Sequence, residues 1–402
     1  MLKGRLSDPI GLGWSGRPRE SLNPCLPVAE LSVPSRQPTA IDLFCGAGGL
    51  SAGLEQAGFR LLAAVDSWEV AERTYGANFS HPFLRTDIRE LTGNDLRRRA
   101  GIDGPIDLIA GGPPCQGFSI QRIGKDSDGR NDLVLEFVRL VLDLAPAAFL
   151  MENVPGLVGR RGTSVLSAFE KLLADGGYEV RSLVVNAADY GVPQLRRRVL
   201  YCGWPAGGPP ISLPKPTSRP EEYVTVWQAI GDLPAPPEDP QAAVDDPLHT
   251  RSRLSELNLR RLKLIPPGGG FEDLPVELRV KAHREGASRI GHRNVYGRLD
   301  PSRPAGTITA RFDSFTRGKF AHPFVDRNIT LREGARLQTF DDSFKFFGNR
   351  EEIAALIGNA IPPRLAHVLA TALYTQLTTA SDDVRSVDLL DDQLKLFQVP
   401  GI

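Results

Sequence analysis

Between Thr39 and Asp66 the chain has the spacing of a strand–helix–strand unit, which commits it to an α/β fold. Ala40–Phe44 reads as a buried strand, Cys45-Gly46-Ala47-Gly48-Gly49 as a tight turn and Leu50–Gln56 as a helix. Leu61–Val65 is a second apolar strand, ending at Asp66. A glycine turn ahead of a helix lets backbone approach a ligand beside a helix N-terminus. An acid about twenty residues further on accepts hydrogen bonds from ribose hydroxyls in sites of this kind. Thr86-Asp87-Ile88 supplies a second acid, suited to an adenine amino group. Taken singly, either aspartate reads as a helix N-cap. In order and at this spacing they predict an adenosine-containing cofactor. Nothing here resembles the lysine-containing phosphate loop, which argues against a triphosphate.

The next strand, Ile106–Ala110, runs into Gly111–Ser119 (GGPPCQGFS). Open α/β sheets place their chemistry in loops at such strand ends. Pro113-Pro114 fixes φ and removes two backbone donors, so Cys115 sits on a stiff support; a buried structural cysteine is the plainer alternative. Asp132–Leu144 has helical periodicity and leads to the strand Ala147–Leu150, followed by Met151-Glu152-Asn153-Val154-Pro155. A glutamate leaving the end of a central strand is costly to bury without a purpose. Leu183–Asn186, Ala187–Val192 and Gln194-Leu195-Arg196-Arg197-Arg198 precede the strand Val199–Cys202. Alternation puts Arg196 and Arg198 on one face, where two guanidiniums can bind phosphate or a carbonyl oxygen. A solvated arginine surface is the competing account.

The 402 residues carry 48 basic and 48 acidic side chains, so the chain as a whole has no charge bias. Local charge is different. His249–Lys319 holds 15 Lys and Arg against 7 Asp and Glu, the footprint expected of phosphate contact. The four cysteines lack paired or metal-like spacing, so neither a disulfide framework nor a zinc site is expected, and a reducing compartment fits. No apolar stretch of membrane-spanning length and no signal-peptide hydrophobic region is expected, which favours a cytoplasmic enzyme. Residues 1–38 are rich in Pro and Gly and read as a flexible arm, with Trp14 a potential anchor.

The ordered set DLFCGAGG, TDI, GGPPCQGFS, MENV, QLRRR and IGNAIPPRLA resembles the DNA (cytosine-5)-methyltransferase family of prokaryotes. The match runs from about Ile41 to Trp204 and resumes from about Arg298 to Leu373. The resemblance implies a doubly wound, Rossmann-like sheet that binds S-adenosylmethionine, with a small irregular target-recognition domain inserted before the C-terminal motifs. The implied organisation is an arm (1–38), a catalytic and cofactor domain (39–204), a recognition domain (205–297), returning motifs (298–378) and an acidic tail (379–402).

By position, the resemblance puts Phe44, Gly46, Gly48 and Gly49 along the cofactor, Asp66 on its ribose, Asp87 on the adenine amino group and Ile88 on the ring. Pro114 shapes the same pocket and Asn359 closes it. Many relatives carry a large side chain directly after the ribose acid; here that residue is Ser67, with Trp68 one position on. Cys115 is implied as the nucleophile that adds to cytosine C6, with Glu152 on ring N3 and the exocyclic amine and Arg196 or Arg198 on O2. Gln116 and Ser119 are candidates to hold the DNA strand or fill the gap left by a flipped base. Gln194, Arg289, Arg293, Thr307 and Arg311 are expected on the DNA side, in the loops His283–Arg293 and Arg311–Lys319 and in the Arg303–Thr309 motif that orients the recognition domain.

The expected partners are double-stranded DNA and a cognate restriction endonuclease or phage-defence proteins, with the chain itself a monomer. An RNA cytosine methyltransferase would share these motifs, but the Cys-Phe-Thr triplet of that branch is absent from the sequence. A silent DNA-binding relative would lack Cys115 or Glu152, and both are present. The tail segment Gln393–Phe397 resembles the peptide by which bacterial proteins dock on the replication sliding clamp; an amphipathic turn packed on its own domain is the alternative. Deleting 393–402 is expected to abolish clamp binding if the peptide docks, and unchanged affinity removes that idea.

Overall fold

The computed structural model describes residues 36–114, 132–159, 162–239, 244–280 and 295–379. Seven strands form one sheet: β1 (Thr39–Leu43), β2 (Arg60–Asp66), β3 (Phe83–Arg85), β4 (Leu108–Gly111), β5 (Ala148–Asn153), β6 (Tyr178–Asn186) and β7 (Arg197–Pro205). Their order is β3-β2-β1-β4-β5-β7-β6. The first five are parallel to their neighbours, while β7 runs antiparallel to both β5 and β6. The strand order reverses between β1 and β4, and the crevice outside their carboxyl ends is where a sheet of this kind holds a ligand.

Period-two alternation along β1 sorts the two layers. Ile41 and Leu43 face α4 (Asp132–Leu144) and α5 (Thr163–Asp175), in a core containing Phe137, Val141, Phe149 and Phe169. Ala40 faces the other way, into a core with Leu50 and Leu54 of α1 (Gly49–Gln56). The same core contains Leu365, Leu369 and Leu373 of a helix from the end of the described chain, Pro363–Thr379. Helix α1 thus packs against a helix some 300 residues away in sequence. The contact is close: a Cβ on Gly53 would fall 2.5 Å from the His367 backbone nitrogen. Helices α2 (Glu69–Gly76) and α3 (Gly93–Ala100) complete the βα connections.

After β7 the alternation stops, as the proline-rich joints predict. Only short elements follow, namely α6 (Val226–Ile230), α7 (Glu256–Leu262) and the two-stranded pair β8 (Gly297–Arg298) and β9 (Lys319–Ala321). Buried arginines do the work of regular hydrogen bonding here. Arg298 donates to the carbonyls of Leu262, Ile265, His322 and Val325 and to Asp326. Arg327 makes a two-pronged pair with Glu333 at 2.7 and 2.6 Å. Glu333 also caps Thr330, the residue before helix α8 (Leu331–Leu337). The chain ends with α9 (Arg350–Asn359) and α10 (Pro363–Thr379), and from Gln37 onward the described residues belong to one compact unit.

Two expectations need correction. Helices α9 and α10 run consecutively and make 350–379 an apolar helical stretch long enough to cross a bilayer, where none of that length was expected. It is interrupted around Ile361-Pro362 and largely buried, α10 against α1 and the sheet and α9 in a core with α8 and Phe312, so its apolar character comes from core packing. The first strand also stops at Leu43, one residue early, because Phe44 turns to φ +61°.

Glu333→Gln is expected to cost about 3–5 kcal/mol, because it leaves the Arg327 guanidinium buried beside a neutral amide. The paired change Arg327→Met with Glu333→Leu is expected to cost less; urea unfolding midpoints compare the two.

Candidate active site

The carboxyl ends of β1, β2, β4 and β5 open onto a cavity of about 760 Å³, within the size range of cofactor sites. Its first wall is the glycine turn. Phe44 is held in the left-handed region and lines the cavity. Gly46, at φ +53°, also lines it, and a Cβ there would meet no atom within 4 Å. Gly48 and Gly49, also expected along the cofactor, leave no room for a side chain. A Cβ on Gly48 would lie 2.4 Å from the Phe79 ring, and one on Gly49 would lie 2.2 Å from the Ile361 carbonyl oxygen.

Two acids stand at this end. Asp66 accepts from the Gly46 and Trp68 backbone N–H groups, both at 2.9 Å. Burial pushes its carboxyl up, while these hydrogen bonds pull the other way. Asp87 caps the turn Ile88–Glu90 and is held by Arg89 through backbone and guanidinium. The Arg89 hydrogen bond keeps the Asp87 carboxyl below the usual carboxylate range. Ser67, Trp68 and Ile88 line the cavity as well. Pro114 and Asn359 also line the cavity.

At the other end Glu152 and Arg198 form an ion pair, Oε1 to Nε 2.8 Å, with both side chains nearly buried. Pairing of β5 with β7 brings them together. Arg196 lines the cavity too, but its guanidinium donates to the carbonyls of Ile308 (3.2 Å), Gly358 (3.2 Å) and Ala360 (3.0 Å). Burial chiefly, with help from Arg198, lowers its pKa to about 9. Its hydrogen bonds tie the sheet to the chain's last third, leaving Arg198 as the guanidinium beside Glu152.

The expected DNA-side residues divide. Gln194 is fully buried, bonded to Gln338 at 2.8 Å and to the Ile308 N–H, so it cannot reach a duplex; the interior of the 300–340 region covers it. Thr307 lines the cavity and donates to the Leu195 carbonyl. Arg311 is exposed and pairs with Glu351 at 3.2 Å. Cys115, Gln116, Ser119, Arg289 and Arg293 lie outside the described residues, as do 393–397. Two supporting residues were given no role from the sequence. Asn153 donates to the Pro113 carbonyl at 3.1 Å, fixing the support just ahead of Cys115. Gln338 donates to the Ile357 carbonyl and so positions the end of α9.

Gly49→Ala is expected to cost about 1–3 kcal/mol by forcing the Ile361 carbonyl away from the glycine turn. The thermal midpoint reports this, and Gly46→Ser, on the open side, is expected to unfold nearer the parent midpoint.

The chain matches the family model described as C-5 cytosine-specific DNA methylase over residues 39–375. It is 36% identical over 338 residues to the type II methylase M.HgiDII of Herpetosiphon aurantiacus, covering 83% of this chain and 94% of that one. It is also 36% identical over 402 residues to the type II methyltransferase M.XorII of Xanthomonas oryzae, covering 89% of each. Among solved structures, a putative DNA modification methyltransferase encoded within a prophage of Escherichia coli superposes with a TM-score of 0.65 at 27% identity, covering 85% of this chain and 99% of that one. The Entamoeba histolytica methyltransferase EhMeth, 16% identical, shares the fold with a TM-score of 0.59 over 85% of this chain and 99% of its own. With the family motifs ordered along one seven-stranded sheet and ending at one cavity, the chain belongs to the C-5 cytosine-specific DNA methylases and is a DNA (cytosine-5)-methyltransferase.

Proposed function

We propose that this chain transfers the methyl group of S-adenosylmethionine to C5 of a cytosine flipped out of a short, specific duplex sequence, through a covalent bond between Cys115 and C6. The observation that carries this reading is a single cavity with acids and aromatic wall at one end and the Glu152–Arg198 pair at the other. Its chemistry fits the cofactor. Asp66 and Asp87 keep acceptor lone pairs beyond their backbone and Arg89 bonds, as ribose hydroxyls and an adenine amine require. Phe44, Trp68 and Ile88 offer flat or apolar contact, and Gly46 leaves room for a chain to pass. The bound cofactor supplies an electrophilic methyl group.

Cytosine C5 is too poor a nucleophile to take that methyl unaided. Addition of the Cys115 thiolate at C6 turns the ring into an enamine with an electron-rich C5. A free thiol with a pKa of about 8.5 is mostly protonated near neutrality, so the site must favour the thiolate. Protonation of the Glu152 carboxyl as the base engages lets it donate a hydrogen bond to ring N3 and accept one from the exocyclic amine, stabilising the charge that develops on the ring. Arg198 lies beside it to bind O2. After methyl transfer the C5 proton leaves to a base and the Cys115–C6 bond breaks, restoring thiolate and aromatic ring. Flipping the base is obligatory because C6 is inaccessible within a stacked duplex, and costs on the order of a few kcal/mol. The proposed setting is a restriction-modification or phage-defence system, a reading supported by the type II methylases at 36% identity.

Sequencing 5-methylcytosine in DNA and in RNA from cells making the native chain, Cys115→Ala or Glu152→Gln tests the reading. New methylation confined to one short DNA context is expected, absent with Cys115→Ala. Glu152→Gln is expected to slow transfer by about 10²–10⁴-fold. Methylation in RNA alone would overturn the DNA assignment.

A further inference from the structure

Beneath the floor of the cavity lies a carboxyl group that the proposed chemistry does not use. Asp42 is fully buried, at the centre of β1, with Ala64 and Ala110 paired against it on the neighbouring strands. One of its oxygens, Oδ1, has no hydrogen-bond partner among the described residues. The other begins a chain of side chains. Ser51 Oγ lies 2.6 Å from Asp42 Oδ2, and Tyr75 Oη lies 2.6 Å from Ser51 Oγ. Tyr75 Oη is 2.5 Å from His81 Nε2, and His81 Nδ1 is 3.4 Å from Glu55, a half-exposed carboxylate. The chain therefore starts under the cavity and ends at solvent.

Each member can act as donor or acceptor, so the chain can run in either direction. With Asp42 protonated, the donors point outward from Asp42 to Ser51, Tyr75 and His81. With Asp42 ionised, they point inward. Passage between the two states balances. Asp42 gives its proton to Ser51, Ser51 gives its own to Tyr75, and Tyr75 gives its own to His81 Nε2. The imidazolium so formed beside Glu55 loses a proton to water.

We propose that Asp42 is a proton-linked positioning residue: it sheds its proton along Ser51, Tyr75 and His81 when a cationic cofactor settles above it, and holds that cation by charge. The inference rests on assigning the cavity to S-adenosylmethionine, whose sulfonium and ammonium are both positive. A buried acid without a cation favours its neutral form. The groups facing Asp42 reinforce this. Burial first, and then the charge of Asp66 on β2, push its pKa up to about 7, against the opposing hydrogen bonds of Ser51 on α1. Cys45, in the turn after β1, and Tyr75, on α2, are held neutral by burial and by neighbouring charge. No cation of the chain balances Asp42 among the groups that shift it. A positive ligand lowers the pKa of such an acid, so by linkage binding releases protons and tightens as pH rises through about 7.

Calorimetry of S-adenosylmethionine binding at pH 6.5, in two buffers of different ionisation enthalpy, reads the linkage directly. The expected result is release of about half a proton per cofactor bound, with affinity about five-fold weaker at pH 6 than at pH 8. Asp42→Asn is expected to abolish the release and flatten the pH dependence. Tyr75→Phe, which cuts the chain and keeps Asp42, is expected to release the same amount more slowly in stopped flow with a pH indicator. Should Asp42→Asn fail to fold, the Tyr75→Phe rate decides the matter. Cofactor binding by the native chain without proton release, release that survives Asp42→Asn, or an unchanged rate in Tyr75→Phe overturns the proposal and leaves the cofactor assignment standing. A native chain that binds no S-adenosylmethionine removes the cofactor assignment and this inference with it.

Discussion

One buried arginine holds the site together. The Arg196 guanidinium has no carboxylate bonded to it and is neutralised instead by three main-chain carbonyls, two of them around the end of α9 and one at Ile308. A buried charge is tolerated when it is hydrogen-bonded, and among the described residues only the Nε of this guanidinium is left without a partner. The segments that supply those carbonyls therefore come to the start of β7, and Ala360 and Ile361 of the same stretch also pack on Gly49 of the glycine turn. Gln194 and Gln338 reinforce the same junction through the Ile308 N–H and the Ile357 carbonyl. The sheet of the first half and the segments of the last third that line the cavity are thus one hydrogen-bonded assembly, even though more than 100 residues separate them in sequence.

The cavity is polarised by what surrounds it. Asp42, Asp66 and Asp87 gather at the end where the parallel strands begin their turns, while Arg196 and Arg198 stand beside Glu152 at the other. Acids there suit a cationic ligand with hydroxyl and amine donors; the guanidinium beside a carboxyl suits a heterocycle with a carbonyl oxygen next to a ring nitrogen. The arrangement needs no conformational change to bring the two ends together, because β1, β4 and β5 are adjacent strands whose carboxyl ends already converge.

The basic excess of His249–Lys319 is real, but much of it serves the interior. Arg261, Arg279, Arg298 and Lys319 bond to main-chain carbonyls of the same region, and Arg251 to the Pro236 carbonyl ahead of it. A segment with few long strands or helices leaves many carbonyls without partners, and long cationic side chains satisfy them. Charge counting in such a segment overstates the phosphate-contacting surface. Arg253, Arg260, Lys263, Arg303, Arg311 and Arg317 are the exposed cations among the described residues of this segment.

The sequence by itself determined the α/β alternation, the glycine turn, the order of the motifs and the identity of several cavity-lining residues, because each of these rests on local spacing. Asp66, Asp87, Glu152 and Pro114 all line one cavity, as their motif positions predict. It could not separate Arg196 from Arg198, or a lining glycine from a packed one, because those distinctions depend on which remote backbone arrives opposite. Gly49 is answered by Ile361, Arg196 by Ala360 and Gln194 by Gln338, in each case across more than 140 residues. The buried line from Asp42 to His81 was equally illegible. Its members are unremarkable in sequence, and only the tertiary approach of Ser51 on α1 to Tyr75 on α2 aligns their hydroxyls into a path to solvent.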